Sequence, residues 1–248
     1  MVEKLIEYLL YEFKHQIRNG VYGLTQRELS YNSNRIEGST LTKRQTAFLF
    51  ETGTLTSDGE IIRAKDIEEM TGHFAMFNEM LKTFHEPLTE DLIKRYHFQL
   101  KSGVFEDKLN GYPIGEYKNR ANIVGDIQTA SPSEVESRMK DLLASYHEKQ
   151  MIDIVDLALF HAEYEKIHPF ADGNGRTGRL ILYKECLKNK IMPFIIHNSN
   201  KVEYYYALNK AQTENDFDSL VLLFKKEQDQ YHDEIKSFID KLLNVNNY

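Results

Sequence analysis

Leu5, Ile6, Leu9, Leu10, Phe13 and Ile17 recur along residues 2–18 at the three- and four-residue spacing of one helix face, with Glu and Lys between them. The same periodicity predicts helices over about 25–37, 41–51, 66–84 and 89–101, with a loop at 52–64. Gly38 stops the second of these. From 103 to 132 the pattern changes. Gly103, Gly111, Pro113, Gly115, Gly125 and Pro132 flank the β-friendly Tyr117 and Asn122-Ile123-Val124, predicting a loop with a small hairpin. Ser131-Pro132-Ser133-Glu134 has capping-box spacing with proline at the first helical position, opening a helix to about 149. Helical patterns at 153–167, 175–190, 200–214 and 216–243 complete the chain.

Composition supports this reading. The 248 residues include only 13 Gly and 5 Pro, too few turn residues for a many-stranded fold. The fold class is therefore all-α, a multi-helix bundle with a small β-hairpin. A hydrophobic fraction of 41%, with 15 Tyr and 14 Phe, supplies a core, and 28% charged residues suit a soluble protein. The net charge of −7 argues against nucleic acid as a partner. The single Cys186 excludes an internal disulfide framework and reads as a small core residue. The N-terminus lacks a signal-peptide pattern, and no apolar run nears the ~20 residues of a bilayer span. The expected address is cytoplasmic, with no membrane partner.

One segment carries chemistry, His168-Pro169-Phe170-Ala171-Asp172-Gly173-Asn174-Gly175-Arg176-Thr177-Gly178-Arg179. Pro169 keeps His168 out of the α region, so one helix ends near Ile167 and the next begins near Gly175. Between them a glycine-bracketed loop brings backbone N–H groups to a helix N-terminus, where free donors and the dipole favour an anion. Arg176 and Arg179, about one turn apart, can face the same loop. His168 is suited to take a proton near neutral pH, and Asp172 is a hard oxygen ligand suited to Mg²⁺ that bridges phosphates. Together these form a kit for phosphoryl or nucleotidyl transfer. The spacing His161-x₃-Glu165-x₂-His168 puts three metal-ligand types on one helix face, but Pro169 turns His168 away, and His161 reads as a packed histidine.

The segment resembles the signature of the Fic (filamentation induced by cAMP) family at every fixed position, His-x-Phe-x-Asp/Glu-Gly-Asn-Gly-Arg-x-x-Arg. That resemblance implies the Fic fold and a protein adenylyltransferase (a nucleotidyltransferase) that moves AMP from Mg-ATP to a Ser, Thr or Tyr hydroxyl of a target protein. By the same resemblance His168 is the catalytic base and Asp172 the Mg²⁺ ligand. Gly173, Asn174, Gly175 and Arg176 cradle the phosphates of ATP, Arg179 binds the γ-phosphate, and Phe170 anchors the loop in the core. Gly115 to Pro132 resembles the family's flap, with Asn122, Ile123, Val124 and Gly125 as nucleotide shelf. Tyr204 and Tyr205 fall where adenine is received, with Gln212 where relatives often have Asn; the Tyr204-Tyr205-Tyr206 run reads equally as core packing.

Ser33-Asn34-Arg35-Ile36-Glu37-Gly38 resembles the family's inhibitory motif, placed N-terminally as in its class II members. Physically, an acid at a helix C-terminus faces the negative end of the dipole and calls for a cation. Arg179 is the candidate. A Glu37–Arg179 pair, with Ser33 beside it, would block the productive pose of ATP. The expected organisation is a helical region 1–88 containing the inhibitory helix (about 25–38), a Fic core 89–215 with its flap at 112–130, and a helical extension 216–248. The expected partner is a protein target the sequence does not identify, with the chain itself as one candidate; a homodimer is compatible with this reading. The alternatives are a Fic-fold enzyme that uses UTP or removes AMP, and a non-catalytic nucleotide-binding module of the toxin–antitoxin type.

Overall fold

In a computed structural model, residues 1–57, 59, 61–124 and 127–245 are described. They form eleven α-helices: α1 Val2–Lys14, α2 Val21–Ile36, α3 Lys43–Thr52, α4 Ala64–Thr83, α5 Glu90–Lys101, α6 Phe105–Leu109, α7 Pro132–His147, α8 Ile154–Ile167, α9 Asn174–Lys188, α10 Lys201–Glu214 and α11 Asp218–Val245. A 3₁₀ turn at Asn198–Asn200 leads into α10. Two two-residue strands, β1 Ile123–Val124 and β2 Ile127–Gln128, pair antiparallel with Val124 opposite Ile127. Among the described residues that pair is the only sheet, so the architecture is all-α. No helix there is long and apolar enough to cross a membrane.

The helix starts follow local chemistry. Thr42 and Ser131 each close a capping box, with Gln45 and Glu134 respectively, and Asp153 caps α8 from its side chain. α2 starts four residues earlier than the hydrophobic pattern suggests, because Gly20 packs against the buried Glu12 carboxylate, which accepts from the Tyr22 N–H at 2.7 Å. α6 is an addition within the stretch read as loop.

α9 is the central helix. Arg176 to Leu187 is an unbroken buried run, enclosed by α2, α4, α5 and α8. α8 packs against α7, α10 and α11 as well, so the loop joining α8 to α9 emerges from the middle of the bundle. That placement explains why α8 and α9 lack a clean polar face: nearly every side chain has a neighbour.

Candidate functional site

α8 ends at Ile167, and His168 caps it with φ 52° and ψ 63°. A non-glycine residue in this left-handed region costs about 1–3 kcal/mol and persists only where its surroundings enforce it. The enforcement here is a ring of hydrogen bonds around the loop. The Asn174 carboxamide accepts from the Phe170 N–H and donates to the Phe170 carbonyl, both at 2.8 Å. The Lys118 N–H donates to the Pro169 carbonyl at 2.8 Å. Phe170 is fully buried and stacks on His97, ring centroids 3.8 Å apart. The Gly115 N–H donates to His97 Nδ1, so Nε2 carries the proton and donates to the Asp172 carbonyl at 3.0 Å. Burial pushes His97 down to about 3, which keeps it in that neutral form.

Beyond the loop, the first bond of α9 runs from the Thr177 N–H to the Gly173 carbonyl. The N–H groups of residues 174–176 therefore have no carbonyl of their own helix to bond. They form the anion-favouring end that the sequence implies.

His168 and Asp172 both face this end in suitable protonation states. Burial pushes the His168 imidazole down to about 4, and the Lys118 charge adds to the effect, so the ring is neutral near pH 7. Its Nδ1 is buried without a hydrogen-bond partner, 4.0 Å from Glu165 Oε2, which leaves Nε2 to meet a ligand. Burial pushes Glu165 up to about 8. For Asp172, burial acts to raise the carboxyl, but Arg176 and Lys101 outweigh it and hold it well below the usual range.

Asp172 belongs to a closed ring of alternating charges. Its Oδ2 lies 2.8 Å from Lys101 Nζ, which is 2.6 Å from Glu69 Oε1; Glu69 Oε2 is 2.6 Å from Arg176 Nη1, and Arg176 Nη2 returns to Asp172 Oδ1 at 3.3 Å. Asp107 adds a third carboxylate on Lys101 at 2.7 Å. Glu69 and Lys101 escape sequence reasoning because each looks like one charge among many. The one signal is that Lys101 continues the buried face of α5 through Ile93, Tyr96, His97 and Leu100.

Two of the residues expected at the phosphates have side chains engaged within the protein. Arg176 is 2% exposed and its guanidinium is held by the buried Glu69 of α4 and by Asp172 of the loop itself, whereas Arg179 turns to α2. The Asn174 side chain likewise closes the loop internally and offers a ligand only its backbone.

Arg179 points to α2. Nη2 lies 2.7 Å from Glu37 Oε1 and 2.9 Å from the Ser33 carbonyl, and Nε donates to Ser33 Oγ at 3.0 Å. A Cβ on Gly175 would run into the Glu37 carboxylate and the Arg179 guanidinium, so glycine leaves room for that ion pair. Glu37 caps the C-terminus of α2, and Gly38 follows at φ 89°. The turn is anchored from outside. Arg63 donates to the Gly38 carbonyl at 2.7 Å, and Asp66 accepts from the Thr40 N–H at 2.9 Å.

The aromatic and flap expectations divide. Tyr204 is 1% exposed and its hydroxyl bonds His161 at 2.7 Å, so it is a core residue and presents no open ring to a base. His161 is fully buried, and no metal-binding cluster of three His, Cys, Asp or Glu occurs among the described residues. Tyr205 is partly exposed and its hydroxyl reaches the Ile36 carbonyl on α2 at 3.4 Å. The Gln212 amide donates to the Ala162 carbonyl and lines a separate cavity of about 690 Å³ between α7, α8 and the end of α10, away from Arg179. The Asn122 carboxamide is engaged within the protein: it accepts from Lys118 and donates to the Phe170 carbonyl. Ile123 and Val124 form β1, while Gly125 lies outside the described residues.

Residues 87–186 match the model of the Fic/DOC family. Relatives include a protein adenylyltransferase Fic of Nematostella vectensis, 29% identical over 73% of this chain and 42% of the relative. A protein adenylyltransferase fic-1 of Caenorhabditis elegans is 27% identical over 73% of this chain and 35% of its own length. The chain thus spans less than half the length of these relatives. Among solved structures, a Fic-domain-containing signaling protein of Bacteroides thetaiotaomicron superposes with a TM-score of 0.71 at 26% identity, covering 97% of this chain and 90% of that one. The structure of C. elegans Fic-1 shares the fold, with a TM-score of 0.74 at 23% identity over 99% of this chain and 72% of that one.

Proposed function

From the match of residues 87–186 to the Fic/DOC family model, we propose that this protein transfers AMP from ATP to a hydroxyl group of a protein, and that α2 holds the reaction in check. The observation that carries the reading is the neutral, partly exposed His168 beside an anion-favouring helix end. Relatives of similar sequence named protein adenylyltransferase support the choice of AMP.

His168 Nε2 takes the proton of the attacking Ser, Thr or Tyr hydroxyl. The hydroxyl oxygen forms a bond to the α-phosphorus, the bond from that phosphorus to the bridging oxygen breaks, and pyrophosphate leaves with the electron pair. The free N–H groups of residues 174–176 stabilise the phosphate charge that builds up. Arg179, once released from Glu37, balances the charge of the triphosphate.

Asp172 fits a divalent cation. It is ionised and about one-third exposed at its side chain. With no protein-only metal cluster among the described residues, Asp172 would hold Mg²⁺ together with the substrate's phosphates. The cation would offset the negative charge of those phosphates.

Intact-mass spectrometry of Glu37→Gly after incubation with ATP, alone and with cell lysate, tests the proposal. An added AMP on the protein or on a lysate protein supports it. Unmodified protein throughout, with ATP bound, would favour a nucleotide-binding module without turnover.

A further inference from the structure

Lys118 is 3% exposed, and every hydrogen bond its ammonium makes goes to a neutral acceptor: Asn122 Oδ1 at 2.6 Å, Thr129 Oγ1 at 2.9 Å and the Ile167 carbonyl at 3.4 Å. Among the described residues no carboxylate pairs with it, although Lys101, Arg176 and Arg179 nearby each have at least one. A buried cation without a counter-charge is costly and needs a reason.

Its contacts converge on His168. The Lys118 ammonium reaches the carbonyl of Ile167, its own N–H holds the carbonyl of Pro169, and the Asn122 amide it orients holds the carbonyl of Phe170. The backbone on both sides of the left-handed His168 is therefore tied to Lys118. Thr129 joins the same cluster by donating to the Asn122 carbonyl at 2.8 Å, so both ends of the hairpin are fastened to the loop.

We propose that Lys118 is the positioning residue of His168, clamping the backbone on either side of the imidazole and placing beside it a positive charge that no acid among the described residues neutralises. The inference rests on the proposed role of His168 as base. A cation near the ring opposes its protonation. Other groups facing His168 act the opposite way: a backbone hydrogen bond of Glu165 on α8, and the charges of Glu37 on α2 and Asp172 in the loop. Arg138 on α7 faces Lys118 itself, and burial with that charge pushes the ammonium down to about 8, still largely charged at pH 7.

The test separates charge from position. Imidazole titrations by NMR on the full chain, with His168 assigned by its loss in His168→Ala, are run for wild type, Lys118→Gln, Lys118→Arg and Thr129→Val. AMP transfer is followed in the same variants on a Glu37→Gly background. Lys118→Gln should raise the His168 midpoint by about one pH unit and lower kcat without changing the KM for ATP. Lys118→Arg should restore the midpoint. Thr129→Val should lower kcat yet leave the midpoint in place. An unmoved midpoint in folded Lys118→Gln overturns the proposal, as does an equal shift in Thr129→Val. Should Lys118→Gln not fold, a wild-type His168 midpoint at or above the ordinary 6.5 overturns it as well. A shifted midpoint with no transfer in any variant would retain the placement and refute adenylyl transfer.

Discussion

Glu37 Oε1 lies 2.7 Å from Arg179 Nη2, and the two residues come from helices 142 positions apart in sequence. Arg179 is almost fully buried, whereas Glu37 keeps about a quarter of its side chain exposed. The arginine is thus held by the protein, and the acid is the partner that can be removed. Releasing it leaves Ser33 in place as a neutral acceptor for the guanidinium.

Glu37→Gly should raise the AMP-transfer rate about tenfold or more, equivalent to about 1.4 kcal/mol of released competition. Ser33→Ala should raise it less, since it weakens the latch without freeing the charge. Rates with α-labelled ATP check both, and a Glu37→Gly rate equal to wild type refutes the latch.

His168→Ala should lower transfer by about 10²- to 10⁴-fold, the span of a lost general base. ATP affinity, measured by calorimetry, should change little because the backbone donors of residues 174–176 remain.

Glu69→Ala should destabilise the fold by about 3–5 kcal/mol, because it leaves Arg176 short of its closest carboxylate and Lys101 with one fewer in a buried setting. Urea unfolding measures this. A loss below about 1 kcal/mol would show that the charge ring is not structural.

Acidification should destabilise the protein. Burial holds His73, His97 and His161 down to about 3, below the ordinary 6.5, so between these values the unfolded chain binds protons that the folded one refuses. Their stabilisation is complete above pH 6.5 and drains away as pH falls toward 3, by about 2 kcal/mol each at pH 5. Glu165 opposes this, since its raised value favours the fold as pH drops below about 8. His168, held down to about 4, adds to the loss, while the raised His197, Glu12 and Asp107 act with Glu165; the four depressed histidines should outweigh them. Melting temperatures should fall from pH 7 to 5, and fall further in Glu165→Gln, where one opposing group is gone.

The local stretch 168–179 was legible without coordinates because its residues act through adjacency. Pro169 ends a helix, glycines free the turn, and Asn174 closes on Phe170 four positions away. The helices were legible for the same reason, since caps and periodicity are local. Which of the two readings of Tyr204 holds, and where Gln212 points, was not legible because exposure is not a local property: both side chains bond α8, and nothing in their own segment says so.

The sequence by itself determined the all-α class and the loop between α8 and α9 from short-range chemistry, while the pairing of Glu37 at the end of α2 with Arg179 came from the resemblance to the inhibitory motif together with charge balance. Only the tertiary structure decided which way each arginine turns. Arg176 and Arg179 share a helix and a charge, yet one is spent on Glu69 and Asp172 and the other on Ser33 and Glu37. A buried guanidinium goes where packing from distant helices leaves it a carboxylate, and that is settled by the arrangement of α2, α4 and α9 around the loop.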